Sequence, residues 1–326
     1  MKKQTISVVD SGGLFETSGD VPPRKEGSVK LSDLKKEFIE YHTLACHSSK
    51  TIATYTGHLQ RFLKFSGDVA LQQVTQELIK QYTLSLLSQE LSSATVRSYL
   101  THLRAFFHWA ADKEYVSPKL YQSIILPKTG KKIVKVYNSS EIQEIFEEIK
   151  AFPIWIQLRN RLIVALMIDS GLRQNEVSTI RTEEIDFELA AVKVHGKGRK
   201  ERFVPLGKLT QSLLADYLTA CPYKEGEYLF KDKLGEPLSN NAIKLFISKL
   251  QRKLGYPVSS HKLRHNFATN YVLDQYDAYN YVDIYRLMAL MGHEEITTTR
   301  NYIHAAQQII ACRSNISHLD QLSLHL

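Results

Sequence analysis

The chain has 326 residues, 43% of them hydrophobic and 23% charged, which is long enough for two domains with separate cores. Its 42 Lys and Arg against 34 Asp and Glu give a net charge of +8, which suits a polyanionic partner without requiring one. No run of about eighteen apolar residues occurs, the start MKKQTISVVDSGG is polar where a signal peptide needs an apolar segment, and Cys46, Cys221 and Cys312 lack the spacing of zinc or disulfide frameworks. A reduced, cytoplasmic protein with no membrane contact, no metal and no cofactor is therefore expected.

Residues 1–28 mix Gly, Ser, Pro and charge without hydrophobic periodicity and read as a flexible tail. Four helical patterns occupy residues 29–118. Leu31, Leu34, Phe38 and Tyr41 mark the first, and Ser48 or Ser49 caps a second carrying Ile52, Tyr55, Leu59 and Phe62. Thr75 opens a third, and Ser93 a fourth through Val96, Leu100, Leu103 and Phe107. Such patterns predict a compact helical bundle. The opposite faces carry Lys50, Thr54, Arg61 and Lys64 on the second helix, and Arg97, Thr101, Arg104 and His108 on the fourth. Ordinary solvated faces explain either stripe alone, whereas two in one small bundle favour contact with phosphates.

Residues 119–138 contain Lys119, Lys128, Lys131, Lys132 and Lys135 and no acidic residue, and they read as a basic interdomain linker able to track a duplex backbone. From 139 to 315 the pattern is mixed. Ser139 or Ser140 caps a helix through Ile142, Ile145 and Ile149, and a second runs from about Ile154 to Ser170. Leu189 to Leu206 reads as a β-hairpin turned by Gly196 and Gly198, and helical patterns resume near Leu209, Ala242, Arg264, Ile284 and Thr297. Residues 316–326 form an apolar-spaced C-terminal tail.

Four segments carry the chemistry: SGLRQNE at 170–176, HGKGRKERFVPL at 195–206, HKLRH at 261–265 and MGHEEITTTRNYIH at 291–304. Phosphoryl transfer gathers charge on non-bridging oxygens, and paired guanidiniums clamp them well because each binds bidentately and stays charged. Arg173 and Arg264 fit that task, with Glu176 one turn on to orient neighbouring donors. Lys197, between two glycines at the hairpin tip, is the candidate general acid for a leaving 5′-oxygen, while Arg199, Lys200 and Arg202 are candidates for phosphate contact. His261 and His293 can donate to the phosphate or accept a phenolic proton. Tyr302, nine residues after His293, is the candidate nucleophile, able to store bond energy as a phosphotyrosine. His265 points about a hundred degrees from Arg264 and reads as packing, and Tyr271, Tyr276, Tyr279, Tyr281 and Tyr285 read mainly as helix packing and a connecting loop.

An Arg, a Lys on a Gly-turned hairpin, HxxR, and GH with a Tyr nine residues on, in this order, resemble the tyrosine recombinase or phage integrase family, closest in style to its Xer and transposon-integrase branch. The resemblance covers nearly the whole chain. It implies a mainly α fold with a small β-sheet, in which a helical, SAM-like core-binding domain and a mixed α/β catalytic domain clamp DNA. It also implies a site-specific DNA recombinase that integrates, excises or resolves DNA through a 3′-phosphotyrosine without metal. Its partner would be double-stranded DNA with inverted half-sites, engaged by a homotetramer on two DNA sites, with the tail handed to a neighbouring subunit. The stretch from Arg264 to Gly292 is longer than the family pattern. A type IB topoisomerase and a catalytically inert DNA-binding accessory protein are the alternatives, and the intact set of six site residues argues against the second.

Overall fold

A computed structural model of the chain describes residues 29–130, 136–196 and 200–314. Lys131, Lys132, Lys197, Arg199 and the tail at 316–326 lie outside the described residues. The chain divides into two compact units, Met1–Lys131 and Lys132–Leu326.

The first unit contains α1 (Leu31–Leu44), α2 (Ser49–Ser66), α3 (Gln76–Leu87), α4 (Ser93–Asp112) and the short α5 (Lys119–Gln122). Side-chain oxygens of Ser48, Thr75 and Ser92 accept from the backbone N–H groups of Thr51, Leu78 and Thr95, so three helices begin at side-chain caps. The apolar stripes meet in one core, where Phe38, Phe62, Phe106 and Phe107 are at most 1% exposed. Each such ring contributes roughly 1.5–3 kcal/mol by leaving water. Residues 119–122, expected in the linker, instead form α5, and Leu120 and Ile124 are buried in this core.

The second unit contains α6 (Ser139–Glu148), α7 (Ile154–Ile168), α8 (Gln174–Ser178), β1 (Ile185–Asp186), β2 (Ala191–His195) and β3 (Glu201–Pro205), then α9 (Lys208–Ala220), α10 (Asn240–Leu254), α11 (Ser260–Tyr279), α12 (Ile284–Met291) and α13 (Ile296–Ser314). Asn138, not Ser139 or Ser140, caps α6: its side-chain oxygen accepts from the Glu141 N–H while the Glu141 carboxylate accepts from the Asn138 N–H, a capping box. Most of α7 is buried, and α9 and α11 pack against it. The strands form one antiparallel sheet in the order β1-β2-β3, with Val192 opposite Val204 and His195 opposite Glu201. Gly196 N–H donates to Lys200 O at 2.7 Å and closes the expected hairpin, while β1, two residues long, was not anticipated.

Helix α7 gives way to Gly171, whose φ of +65° and close contact with the Phe267 ring leave no room for a Cβ. Gly292 ends α12 in the same left-handed way, at φ +59°. The first turn delivers Arg173 to a cleft, and the second delivers His293 to the same cleft. A separate small core of Val272, Leu287, Met291, Tyr302 and Ala306 joins α11, α12 and α13 beneath it. The long interval between Arg264 and Gly292 is taken up by extending α11 to Tyr279 and by a short turn before α12. Tyr279 and Tyr285 there, 70% and 76% exposed, do not supply the packing expected of them, while Tyr281 lies in the connecting loop. Among the described residues no helix is long and apolar enough to cross a membrane.

Candidate active site

One buried carboxylate organises the cleft. Glu176, 3% exposed on α8, accepts from the Arg173 backbone N–H and from Arg173 Nη1, both at 2.8 Å. Its two oxygens also accept from Arg202 Nη1 and Nη2 at 2.9 Å each, a bidentate pair, and Arg264 Nη1 stands 3.9 Å away. Burial alone would raise this carboxyl, but the hydrogen bonds from Arg202 and Arg173 outweigh it and hold Glu176 below the usual range. The Arg173 guanidinium also donates to Gly292 O at 2.9 Å and keeps about a third of its surface open to the cleft. Glu176 thus orients Arg173 without covering it.

Arg264, on α11, is 4% exposed and donates to Gly171 O and, at 2.5 Å, to Met291 O. Burial and then the neighbouring Arg173 push its pKa down to about 10, so it stays cationic at neutral pH. Its Nη2 lies 3.1 Å from His293 Nε2 and has only hydrogens to offer, so Nε2 accepts. The remaining proton of neutral His293 is then on Nδ1, facing Thr299 Oγ1 at 2.9 Å. Burial, reinforced by the charges of Arg264, Arg173 and Arg202, lowers the His293 pKa to about 4. The Tyr302 ring, 5% exposed on α13, stacks parallel to His293 at 5.9 Å and meets the edge of His265 at 4.8 Å. Burial raises the phenol above its ordinary value, opposed by Arg264 and Arg173. Arg173, His261, Arg264, His293 and Tyr302 therefore line one open cleft of about 890 Å³, with Gly196 and Lys200 from the hairpin at its rim.

Lys50, Lys64, Arg104, Lys128 and Lys200 are exposed, and Lys200 pairs with Glu294 at 2.9 Å. Arg97 donates to Pro127 O, and Arg61 bonds Gln89 while lying over the Tyr99 ring. Arg202, expected to contact DNA phosphate, is only 12% exposed, and its fork is committed to Glu176 and, through Nε, to Leu290 O. Its inward direction accords with alternation alongside Val204 on β3, a period-2 signal present in the sequence. Thr299, fully buried beside His293, was also missed, because only the fold brings the first turn of α13 against that ring. Among the described residues no three His, Cys, Asp or Glu side chains gather in a metal-ligating group.

The phage integrase family matches residues 135–308, and the phage integrase N-terminal SAM-like domain matches residues 34–116. Among known proteins, the tyrosine recombinase XerC of Oceanobacillus iheyensis is 28% identical over 283 residues, spanning 83% of this chain and 90% of the relative. The XerC of Lacticaseibacillus casei is 27% identical over 271 residues, spanning 79% and 89%. A lambda integrase dimer bound to a COC′ core site shares the fold with a TM-score of 0.69 at 17% identity, over 84% of this chain and 77% of that one. The Tn1549 transposon integrase in complex with a circular-intermediate DNA does so at 0.69 and 15% identity, over 87% and 99%.

Proposed function

The chain belongs to the phage integrase family and is a tyrosine-type site-specific recombinase that cleaves and rejoins DNA; from that premise we propose that Tyr302 is the nucleophile and that Arg173 and Arg264 clamp the scissile phosphate. The Tyr302 oxygen attacks phosphorus and gives up its phenolic proton as the bond from phosphorus to the 5′-oxygen breaks, leaving a 3′-phosphotyrosine. Lys197 supplies the proton that the departing 5′-oxygen needs, and an incoming 5′-hydroxyl reverses the steps to rejoin a strand. Arg264 gives its donors to the phosphate, which frees Nε2 of neutral His293 to take the phenolic proton. The phosphodiester's negative charge offsets the guanidiniums that depress that imidazole. His261, exposed at the cleft, donates to a non-bridging oxygen. Charge stabilisation comes from these side chains with no metal, so cleavage is expected to persist in EDTA.

The observation that carries this reading is the convergence of Tyr302, His293 and Arg264 with Arg173 in one cleft. On the DNA side, the solved lambda integrase assemblies are a dimer bound to a core site and a tetramer bound to a Holliday junction. We read this chain as acting likewise, as a homotetramer on two sites with inverted half-sites, the helical unit and the catalytic unit closing on the duplex. Lys50, Lys64, Arg104 and Lys128, with Lys131, Lys132 and Arg199, are the proposed backbone contacts.

The test is Tyr302→Phe on a nicked suicide substrate, read on a denaturing gel. The Phe variant is expected to bind DNA with wild-type affinity and to form no covalent adduct, since only one hydroxyl is lost. An adduct in the Phe variant would assign the nucleophile to another residue.

A further inference from the structure

Arg202 does more than fill a hairpin position. Its fork engages both oxygens of Glu176 on α8, while its Nε–H donates to Leu290 O near the end of α12. Its guanidinium also lies against Gly292, where a Cβ would come within 2.8 Å of Nη1 and 3.3 Å of Arg173 Nη1. Strand β3 is thereby fastened to the turn that precedes His293 and Tyr302. Three guanidiniums face one carboxylate, yet they hold it unequally: Arg202 takes both oxygens, Arg173 takes one side-chain bond, and Arg264 remains at 3.9 Å, beyond hydrogen-bond range.

We propose that Arg202 is a positioning residue that saturates Glu176, so that Arg173 and Arg264 keep their charge and free donors for the scissile phosphate. The inference rests on the reading of Arg173 and Arg264 as the phosphate clamp. Remove Arg202 and each carboxylate oxygen loses one of its two hydrogen bonds, keeping only the one from Arg173, in a site where water has little access. The nearest cation not already bonded to Glu176 is Arg264, 3.9 Å away, and a move toward the carboxylate draws that guanidinium from Gly171 O, Met291 O and the phosphate. A lysine keeps the charge but cannot reach two carboxylate oxygens and a carbonyl from one planar fork. The charged and titratable groups facing Glu176 are Arg173 beside α8, Arg202 on β3, Arg264 on α11 and His293 between α12 and α13. Without Arg202, burial acts on Glu176 with less opposition, and the carboxyl takes up a proton at higher pH. Protonation would then remove the competitor that traps Arg264.

This gives an outcome that a merely structural role does not. Single-turnover cleavage of a suicide half-site is measured for wild type, Arg202→Met, Glu176→Gln and the double variant, as a ratio to wild type at each pH. Half-site binding is measured alongside. Arg202→Met is expected to cleave on the order of tenfold to a hundredfold more slowly at neutral pH. Adding Glu176→Gln should recover about tenfold of that loss, and the deficit of Arg202→Met alone should shrink as pH is lowered from about 8 to about 5.5. A double variant no faster than Arg202→Met, or a deficit constant over pH, overturns the proposal. Should Arg202→Met fail to give a cooperative melt, Arg202→Lys carries the same test. It too should be relieved by Glu176→Gln, and no relief is again a refutation. Arg264→Met run in parallel separates the two claims, because loss of cleavage with half-site binding retained leaves the phosphate clamp standing even where Arg202 and Glu176 prove independent.

Discussion

Lowering the pH from 7 to 5 acts on two imidazoles that the fold keeps neutral. His265 is 7% exposed, and burial, reinforced by the facing His261, lowers its pKa to about 4; burial and the arginine cluster lower His293 to about 4 as well. The unfolded chain returns both to an ordinary value near 6.5 and so binds more protons than the folded chain between pH 6.5 and 4. Their contribution to stability is full above about pH 6.5 and is lost as pH falls toward 4. A fall from about 6.5 to about 4 corresponds to about 3 kcal/mol per group, of which about 2 kcal/mol disappears between pH 7 and 5. Glu176, held below the ordinary carboxyl range, loses its own contribution only at lower pH. Urea unfolding of the protein at pH 7 and pH 5 should therefore show the transition of the catalytic unit weakening by about 4 kcal/mol. In His265→Gln, which cannot take up that proton, the difference between the two pH values should be about half as large, whatever the substitution does to absolute stability. An equal difference in wild type and His265→Gln would refute the reasoning.

Arg264→Met should slow first-strand cleavage by about 10²–10³-fold through loss of the phosphate clamp. It should also weaken the catalytic unit by about 2–4 kcal/mol, because Gly171 O and Met291 O lose their buried donor; single-turnover cleavage and urea titration check the two effects. Deleting residues 316–326, whose Ile316, Leu319, Leu322, Leu324 and Leu326 come after the catalytic helices, should leave binding of one half-site nearly intact and abolish synapsis and strand exchange. Undiminished recombination by the truncated protein would mean that the tail packs on its own domain.

What the sequence discloses depends on how local the deciding interaction is. Thr75 is read correctly as a cap, and Ser48 as one of two candidates with Ser49, because a cap is settled within three residues; Asn138 displaces Ser139 and Ser140 for an equally local reason, the Glu141 carboxylate that accepts from its N–H. Arg173 and Glu176 are legible as a pair for the same cause, being one helical turn apart. Tyr302 stands out from seventeen tyrosines through its spacing from His293, and the fold stacks the two rings. Strand β1 escapes notice because two residues cannot display an alternation. The exposed Tyr279 and Tyr285 are misjudged because aromatic content says how much surface there is to bury and not what covers it. Arg202 is the instructive case. Its alternation with Val204 points it inward, yet a dense basic tip reads as a DNA-facing surface when charge is counted without direction. Its partners, Glu176 at 26 residues' separation and Leu290 at 88, are set by how β3 lies against α8 and α12, which no spacing rule encodes. A buried carboxylate is costly unless it is paired. Once Glu176 is placed at the base of the cleft, that cost requires cations around it, and the arginine that meets most of it need not be one that touches the phosphate.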